Sequence, residues 1–190
     1  STMNKRTKSF IYAVAIALII VVIFLGFLSS FTNPISWVLI GILLLIPIFY
    51  KKTEQTSKIQ WKDEYSVGIT HIDQDHKKLI SLLNQFTVAY DHAMSEDFEK
   101  KALEELIEYT QYHFEREEKL MRDNDYPDFE AHQAKHQEMI KQVGKFVELY
   151  NEKGHDALKE ISEFLTVWLI SHINGTDKEY SQYLNERNVH

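Results

Sequence analysis

The feature that most constrains the fold is a stretch of forty-two residues, 9–50, that contains no charged side chain. Within it, residues 10–28 form an apolar run of nineteen, and a helix rising about 1.5 Å per residue would carry them across most of a hydrocarbon core of roughly 30 Å. A second apolar run, residues 35–50, follows a turn at Asn33 and Pro34. A cleaved signal peptide would be shorter and would not precede a second apolar run. The sequence therefore predicts a transmembrane hairpin over residues 9–50, with spans of about 10–28 and 35–50.

Basic residues at both ends of the hairpin predict its orientation. Three precede the first span and two follow the second, whereas the connecting turn is uncharged: Lys5, Arg6, Lys8, Lys51 and Lys52. Because cytoplasmic segments are enriched in Lys and Arg, both chain ends are predicted to lie in the cytoplasm. We expect a multi-pass membrane protein with the lipid bilayer as a partner, a tail at 1–8, a polar linker at 51–60 and a cytoplasmic domain at 61–190.

The part of the chain beyond the linker is acidic and lacks cysteine. It carries fifteen basic and twenty-seven acidic side chains, a formal net charge of −12. Nucleic-acid binding requires a basic surface, so nucleic acid is excluded as a partner. The absence of cysteine from the chain excludes thiolate metal sites and cysteine nucleophiles. Any metal ion must be held by His, Asp and Glu.

Four segments of this domain repeat apolar residues at helical spacing: 73–91, 96–122, 128–152 and 156–186. Asp73 is predicted as the N-cap of the first segment, and Phe164 and Leu165 are among the side chains predicted to face the core from the last. Short connections favour antiparallel neighbours. We predict an all-α fold, in which an antiparallel up-down-up-down four-helix bundle follows the transmembrane hairpin and residues 61–72 form an irregular arm across the bundle.

Each of the four segments carries side chains that can bind a metal ion. The first has one histidine, the second and third have pairs four residues apart, and the fourth has a pair five apart: His76; His113 and Glu117; His132 and His136; His172 and Asp177. Residues four apart share a helical face, and bundles build metal sites from facing helices. The third pair is not a zinc-protease motif, because Gln133 stands where that motif needs Glu. One pair is a weak signal, but recurrence on four successive helices predicts a metal centre.

The number of ligands predicts two metal ions with one open position. Two octahedral irons offer twelve positions. If Glu117 and Asp177 each bridge both ions, and an oxide or hydroxide also bridges them, five imidazoles leave one position on one iron for a small molecule such as O2. Neutral imidazoles supply less negative charge than carboxylates, which favours reversible O2 binding over O–O cleavage.

The segment HINGTD requires an irregular helix. On a regular α-helix, residues five apart point about 140° away from each other, so His172 and Asp177 could not both face the core. A π-type turn would bring them together, and Gly175 would tolerate this distortion. We predict unwound or π-type backbone between Ile170 and Asp177.

In this order, the motifs D-x-x-H-K, H-F-x-x-E-E, H-x-x-x-H and H-I-x-x-x-D resemble those of the hemerythrins, specifically the bacterial ones, over roughly residues 61–190. The resemblance implies two iron ions (Fe2+/Fe3+) with a bridging oxide or hydroxide, and O2 as their ligand. It implies three histidines on one iron, two on the iron with the open position, and two bridging carboxylates: His132, His136 and His172; His76 and His113; Glu117 and Asp177.

The same resemblance implies surroundings for this centre. Trp168, Leu169 and Ile173 would line the O2 pocket, and Asp75 stands where many members have Gln. A bacterial member with this hairpin would lie in the inner (cell) membrane.

The sequence thus predicts a membrane-anchored, non-heme di-iron protein, not an enzyme, that reversibly binds O2 for delivery, storage or sensing at the cytoplasmic face. Weak peroxidase-like activity is compatible with it, a membrane-bound oxygen-consuming enzyme would be its partner, and a homo-oligomer is left open. The alternative is an enzyme that reduces peroxide or nitric oxide at the same site. An apolar pocket beside the open iron would favour the carrier, whereas a Tyr, Glu or His within hydrogen-bonding reach would favour the enzyme.

The remaining histidines are predicted to be surface residues: His71, His92, His155 and His190. Tyr109 and Tyr112 flank His113, and they are predicted to pack or to hydrogen-bond rather than to carry electrons.

Overall fold

The computed structural model describes residues 5–56, 58–91 and 95–189, and it contains no β-strand within these ranges. The helices are α1 (Lys5–Ser29), α2 (Pro34–Thr56), α3 (Thr70–Asp91), α4 (Glu96–Asp123), α5 (Phe129–Lys153), α6 (Leu158–His172) and α7 (Lys178–Asn185). A π-helical turn, Ile173–Asp177, joins α6 to α7. The chain divides between Lys58 and Ile59 into two compact units. The all-α prediction is confirmed, while His92 and His190 lie outside the described residues.

The first unit is a pair of packed helices. The Cβ of any larger residue at Gly26 would lie 2.2 Å from the Ser36 hydroxyl oxygen, so α1 and α2 approach closely there. Ser36 is buried and donates a hydrogen bond to the Ile23 carbonyl at 3.3 Å. The Trp37 indole donates to the Phe31 carbonyl at 3.1 Å. Contacts between small residues of this kind are typical of helix pairs in membranes.

Among the described residues, one helical segment, Ser9–Ser29, is long and apolar enough to cross a membrane. Its side chains are mostly exposed, which distinguishes it from a core helix. The other apolar segment, Pro34–Phe49, rises only about 24 Å as a helix, less than a hydrocarbon core. The prediction of two spans is therefore supported for the first span only. Helix α2 continues to Thr56, so the first part of the predicted linker 51–60 is helical.

The second unit is the four-helix bundle, in which α6, the π turn and α7 together form the fourth member. Its core comprises a larger and a smaller apolar cluster. Along α4, Leu106 belongs to the larger cluster and Met121 to the smaller one, and His113 and Glu117 lie between them. The packing therefore places a buried polar layer between two apolar ones.

The arm that precedes α3 is fixed to the bundle by side chains. The Asn84 amide of α3 accepts a hydrogen bond from the Ile59 N–H at 2.9 Å and donates one to the Ile59 carbonyl at 2.8 Å. The Lys77 ammonium lies 4.7 Å from the centre of the Trp61 ring, a cation–π contact. Helix α3 begins at Thr70, so the prediction that Asp73 is its N-cap is wrong. Instead, Asp73 lies in the first turn and accepts the Val67 N–H of the arm at 2.8 Å.

The prediction that Phe164 faces the core is also wrong, because its side chain is 39 % exposed. Ile161, Leu165 and Leu169 repeat every four residues and are buried, so they define the inward face of α6. Phe164 lies beside this face and meets Phe146 edge to face, with ring centres 5.1 Å apart.

A buried carboxylate joins α4 to the end of α5. Glu99, in the first turn of α4, accepts hydrogen bonds from the Tyr150 hydroxyl at 3.1 Å and the His155 ring at 2.6 Å. Burial and the bond to Glu99 raise the pKa of Tyr150 to about 12, so the phenol keeps its proton. His155 was predicted to be a surface residue, but it is only partly exposed and is held by Glu99. His71 is also partly buried.

Replacing Glu99 by alanine should destabilise the bundle by about 2 kcal/mol, because the Tyr150 hydroxyl and the His155 ring lose their acceptor. Denaturant unfolding of the full-length protein in detergent measures this change. Glu104→Ala, at an exposed position of the same helix, is the matched control and should change the free energy of unfolding by less than about 0.5 kcal/mol. Equal values for the two variants would show that the Glu99 contacts do not stabilise the fold.

Candidate metal centre

The structure brings together all seven side chains that the sequence singled out as metal ligands. They come from every member of the bundle, and none is more than 6 % exposed: His76 from α3, His113 and Glu117 from α4, His132 and His136 from α5, His172 from α6 and Asp177 from the π turn. The side chains form two groups, and within each group the candidate ligand atoms all lie within 4.8 Å of one another. Glu117 and Asp177 belong to both groups.

The π turn explains how the fourth helix brings two candidate ligands together. The His172 Nε2 and an Asp177 carboxylate oxygen are 3.1 Å apart, although five positions separate the residues in sequence. The prediction of π-type backbone in this segment is confirmed. A Cβ added at Gly175 meets no atom within 4 Å, so the turn does not require a glycine there for lack of space.

Two nitrogen–nitrogen distances in the larger group match those between adjacent positions of an octahedron. The Nε2 atoms of His132 and His136 are 3.0 Å apart, and those of His136 and His172 are 3.2 Å apart. Metal–nitrogen bonds of about 2.1 Å at right angles would separate adjacent nitrogens by about 3.0 Å. Glu117 and Asp177 complete this group, so its five donors suit a six-coordinate ion.

The smaller group contains two histidines and the same two carboxylates. The His76 Nε2 lies 3.2 Å from an Asp177 oxygen, and the His113 Nε2 lies 3.5 Å from a Glu117 oxygen. With one imidazole fewer than the larger group, this set of donors leaves an additional position for an exogenous ligand.

Several buried atoms of the two groups lack hydrogen-bond partners among the described residues. They include both nitrogens of His76, one oxygen of Glu117 and both oxygens of Asp177. Such atoms are costly to bury unless a cation or a proton compensates them. Because these atoms converge on one another, the residues fit metal ions.

The electrostatics of the cluster favour positive charge. Burial raises the pKa of Glu117, but the surrounding His113, His132, His136 and His76 outweigh burial and hold that pKa well below its ordinary value. Burial lowers the pKa of His76, but Asp177 and Glu117 outweigh it and raise that pKa to about 9. The carboxylates thus remain charged and attract either protons or metal ions.

Neighbouring side chains hold two of the candidate ligands, His136 and Glu117, in place. The Nδ1 of His136 lies 3.0 Å from Glu118, which also accepts the Gln133 amide at 2.8 Å. A His Nδ1–H that donates to a carboxylate leaves Nε2 free to bind metal. The Tyr180 hydroxyl, which is fully buried, donates to Glu117 at 2.6 Å. The sequence alone did not predict these roles for Glu118 and Tyr180. The features that could have indicated them are that Glu118 directly follows Glu117 and that Tyr180 lies three positions after Asp177.

Asp75 lies beside the His113 Nδ1, as Glu118 lies beside the His136 Nδ1. Its carboxylate lies 3.5 Å from the His113 Nδ1 and accepts hydrogen bonds from the Tyr109 hydroxyl at 2.8 Å and from Arg116 at 3.0 Å. Burial opposes ionisation of Asp75, but the neighbouring His113 ring, the Tyr109 hydroxyl and Arg116 lower its pKa. Tyr109 therefore has the hydrogen-bonding role predicted for it.

A cavity of about 20 Å³ adjoins the cluster. Three of the proposed ligands line it, and the other lining residues are largely apolar: His113, His172 and Asp177; Leu79, Leu83, Thr110, Phe114, Met139, Leu165, Trp168 and Leu169. Trp168 stacks on the His172 ring with centres 4.3 Å apart. Ile173, expected in this pocket, is buried in the core but does not line the cavity.

The fold and the site define a class of protein, the four-helix bundles that could hold two metal ions through shared carboxylates. The sequence profile described as "Hemerythrin HHE cation binding domain" matches residues 67–184, which include all seven side chains. The chain belongs to the hemerythrin family.

Individual relatives agree with this assignment. The chain is 36 % identical over 121 residues to a bacteriohemerythrin of Stenotrophomonas maltophilia (strain R551-3), covering 64 % of this chain and 78 % of the relative. It is 30 % identical over 124 residues to a bacteriohemerythrin of Clostridium acetobutylicum, covering 63 % of this chain and 96 % of the relative. A crystal structure of wild-type hemerythrin superposes with a TM-score of 0.58 at 25 % identity, covering 65 % of this chain and 95 % of that one.

Proposed function

We propose that this chain is a membrane-anchored, non-heme di-iron protein that reversibly binds O2 for delivery, storage or sensing at the cytoplasmic face of a bacterial inner membrane. The observation that carries the proposal is the unequal pair of ligand groups around two shared carboxylates, with an apolar cavity beside them. Iron in such a site supplies the electrons and the open position that O2 binding requires. The bacteriohemerythrin relatives support the same assignment.

The cavity favours the carrier over the enzyme. Apart from the three proposed ligands, the described residues that line it include no acid, no histidine and no tyrosine. The Thr110 hydroxyl donates to the Leu106 carbonyl at 2.7 Å, and Trp168 is stacked on the His172 ring. An enzyme that reduces peroxide or nitric oxide would need proton donors at this place. The apolar side chains instead exclude water and the protons it carries.

An optical experiment on the purified full-length protein tests this function. The iron-loaded protein is reduced without oxygen, exposed to air, and then deoxygenated. We expect about two irons per chain and a visible absorption band that appears with O2 and disappears on its removal. Irreversible bleaching with turnover of added peroxide would overturn the carrier in favour of the enzyme.

The membrane anchor is a separate part of the proposal, with Ser9–Ser29 as the first span and Pro34–Phe49 as a second, shorter one. Mostly exposed apolar side chains and the close Gly26–Ser36 contact support it. Anchoring would raise the local concentration of O2-loaded protein around a membrane-bound oxygen-consuming enzyme. The protein should stay in the membrane pellet after alkaline carbonate extraction, and a protease should digest residues 59–190 only after the cells are opened. Release by carbonate would overturn the anchor without affecting the O2 proposal.

A further inference from the structure

A second small cavity lies further along the bundle from the metal ligands. It also has a volume of about 20 Å³, and its lining comes from α4, α5 and α6: Leu103, Leu106, Ile107, Thr110, Met139, Val143, Phe146, Ile161 and Leu165. Compared with the lining of the first cavity, these residues lie earlier in α4 and α6 and later in α5. In antiparallel helices, this shift moves the second cavity one to two turns away from the ligands.

A single layer of side chains separates the two cavities. Thr110, Met139 and Leu165 line both of them. The Thr110 hydroxyl donates its proton to the Leu106 carbonyl, so it has no free donor for either space. Met139 is an unbranched side chain with three rotatable bonds. Met139 is therefore the side chain of this layer that can most readily change rotamer.

The lining determines what the second cavity can hold. Its volume suffices for one molecule about the size of water. A buried water needs two to four polar partners, whereas the side chains of the described residues around this cavity offer one at most, the Thr110 hydroxyl oxygen as an acceptor. Apolar cavities stay dry and bind apolar guests such as xenon. The ligand class is therefore a small apolar gas.

We propose that this second cavity, between Leu106, Val143 and Ile161, is a gas-binding site that holds one O2 molecule and supplies it, past Met139, to the cavity beside His113. The supply of O2 to the centre rests on the proposed function. The capacity of the cavity for an apolar gas does not, because it depends only on volume and lining.

Xenon, an apolar atom detectable by its effect on methyl groups, tests the binding site independently of iron. The full-length protein in detergent, with labelled leucine methyls, is titrated with xenon under pressure. We expect saturable NMR shifts at Leu103 and Leu106, which line only the second cavity. Shifts confined to Leu79 and Leu83, which line only the first, would overturn the proposal.

Matched variants on α5 make the assignment specific. Val143→Leu places an additional methylene in the cavity and should abolish the saturable shifts. Val147→Leu is the same substitution one turn further along α5 at a 36 % exposed position, and it should leave the shifts unchanged. Val143→Ile is a milder replacement if circular dichroism shows that Val143→Leu is misfolded. Unchanged shifts in a folded Val143 variant would overturn the site.

The supply role is tested by O2 association after flash photolysis of the iron-loaded protein. Val143→Leu should lower the association rate by at least about twofold, because the local reservoir of O2 is lost, while the iron content and the Val147→Leu rate stay at wild-type values. Xenon binding with an unchanged O2 rate would overturn the supply role and keep the gas site. Absence of any O2 binding would overturn the proposed function, and the xenon titration would still show whether the second cavity binds an apolar gas.

Discussion

Replacing Glu117 by glutamine is expected to abolish the metal centre while the bundle stays folded. Glu117 belongs to both ligand groups, and it is fully buried among four histidines. The amide has nearly the same shape and can still accept the Tyr180 hydrogen bond, so packing is retained. It lacks the negative charge that would bridge two cations, and losing a ligand should weaken iron binding by more than the roughly 100-fold typical of a lost outer-layer partner.

Iron analysis of the purified variant measures this effect, with circular dichroism as the check on folding. Iron should fall from about two to less than one per chain, and the O2-dependent absorption should disappear. Glu115→Gln makes the same chemical change two residues earlier, at an exposed position of α4, and should retain wild-type iron. A Glu117→Gln protein that still holds two irons would show that this carboxylate does not bridge them.

Local spacing explains why the clustering of the seven candidate ligands could be predicted from the sequence. Pairs four residues apart, such as His132 and His136, share a face of any regular helix. The five-residue spacing of His172 and Asp177 is incompatible with such a helix, so it predicted the π turn from geometry alone. These inferences need only the helical repeat and the rule that bundle helices face one another.

The contacts around the ligands could not be predicted in this way, because they join residues far apart in the chain. Tyr180 meets Glu117 across 63 positions, and Tyr109 meets Asp75 across 34. No periodicity encodes such pairs. The prediction that Asp73 caps α3 was wrong for a related reason, since this carboxylate accepts hydrogen bonds from the Ser66 hydroxyl and the Val67 N–H of the arm and not from the start of its own helix.

The metal-free protein should lose stability as the pH rises from about 6.5 to 9. In the folded chain Asp177 and Glu117 outweigh burial and raise the pKa of His76 to about 9, against an ordinary value of 6.5. The folded state therefore binds this proton more tightly than the unfolded state. The stabilisation of the fold by this proton is complete below pH 6.5 and is lost as the pH passes through 9. The loss in the free energy of unfolding is about 3 kcal/mol. The pKa of His136 is also raised, which adds to the loss.

Iron should reverse the direction of this dependence. A metal ion binds the deprotonated imidazole, so protons compete with it at low pH and its affinity rises as they leave. The stabilisation by bound metal therefore grows over the same interval in which the metal-free protein weakens. Urea unfolding at pH 6.5 and pH 9, with and without removal of iron by a chelator, compares the two dependences. His76→Gln should flatten the metal-free profile, and parallel profiles for both forms of the wild-type protein would mean that His76 does not exchange a proton for a metal ion.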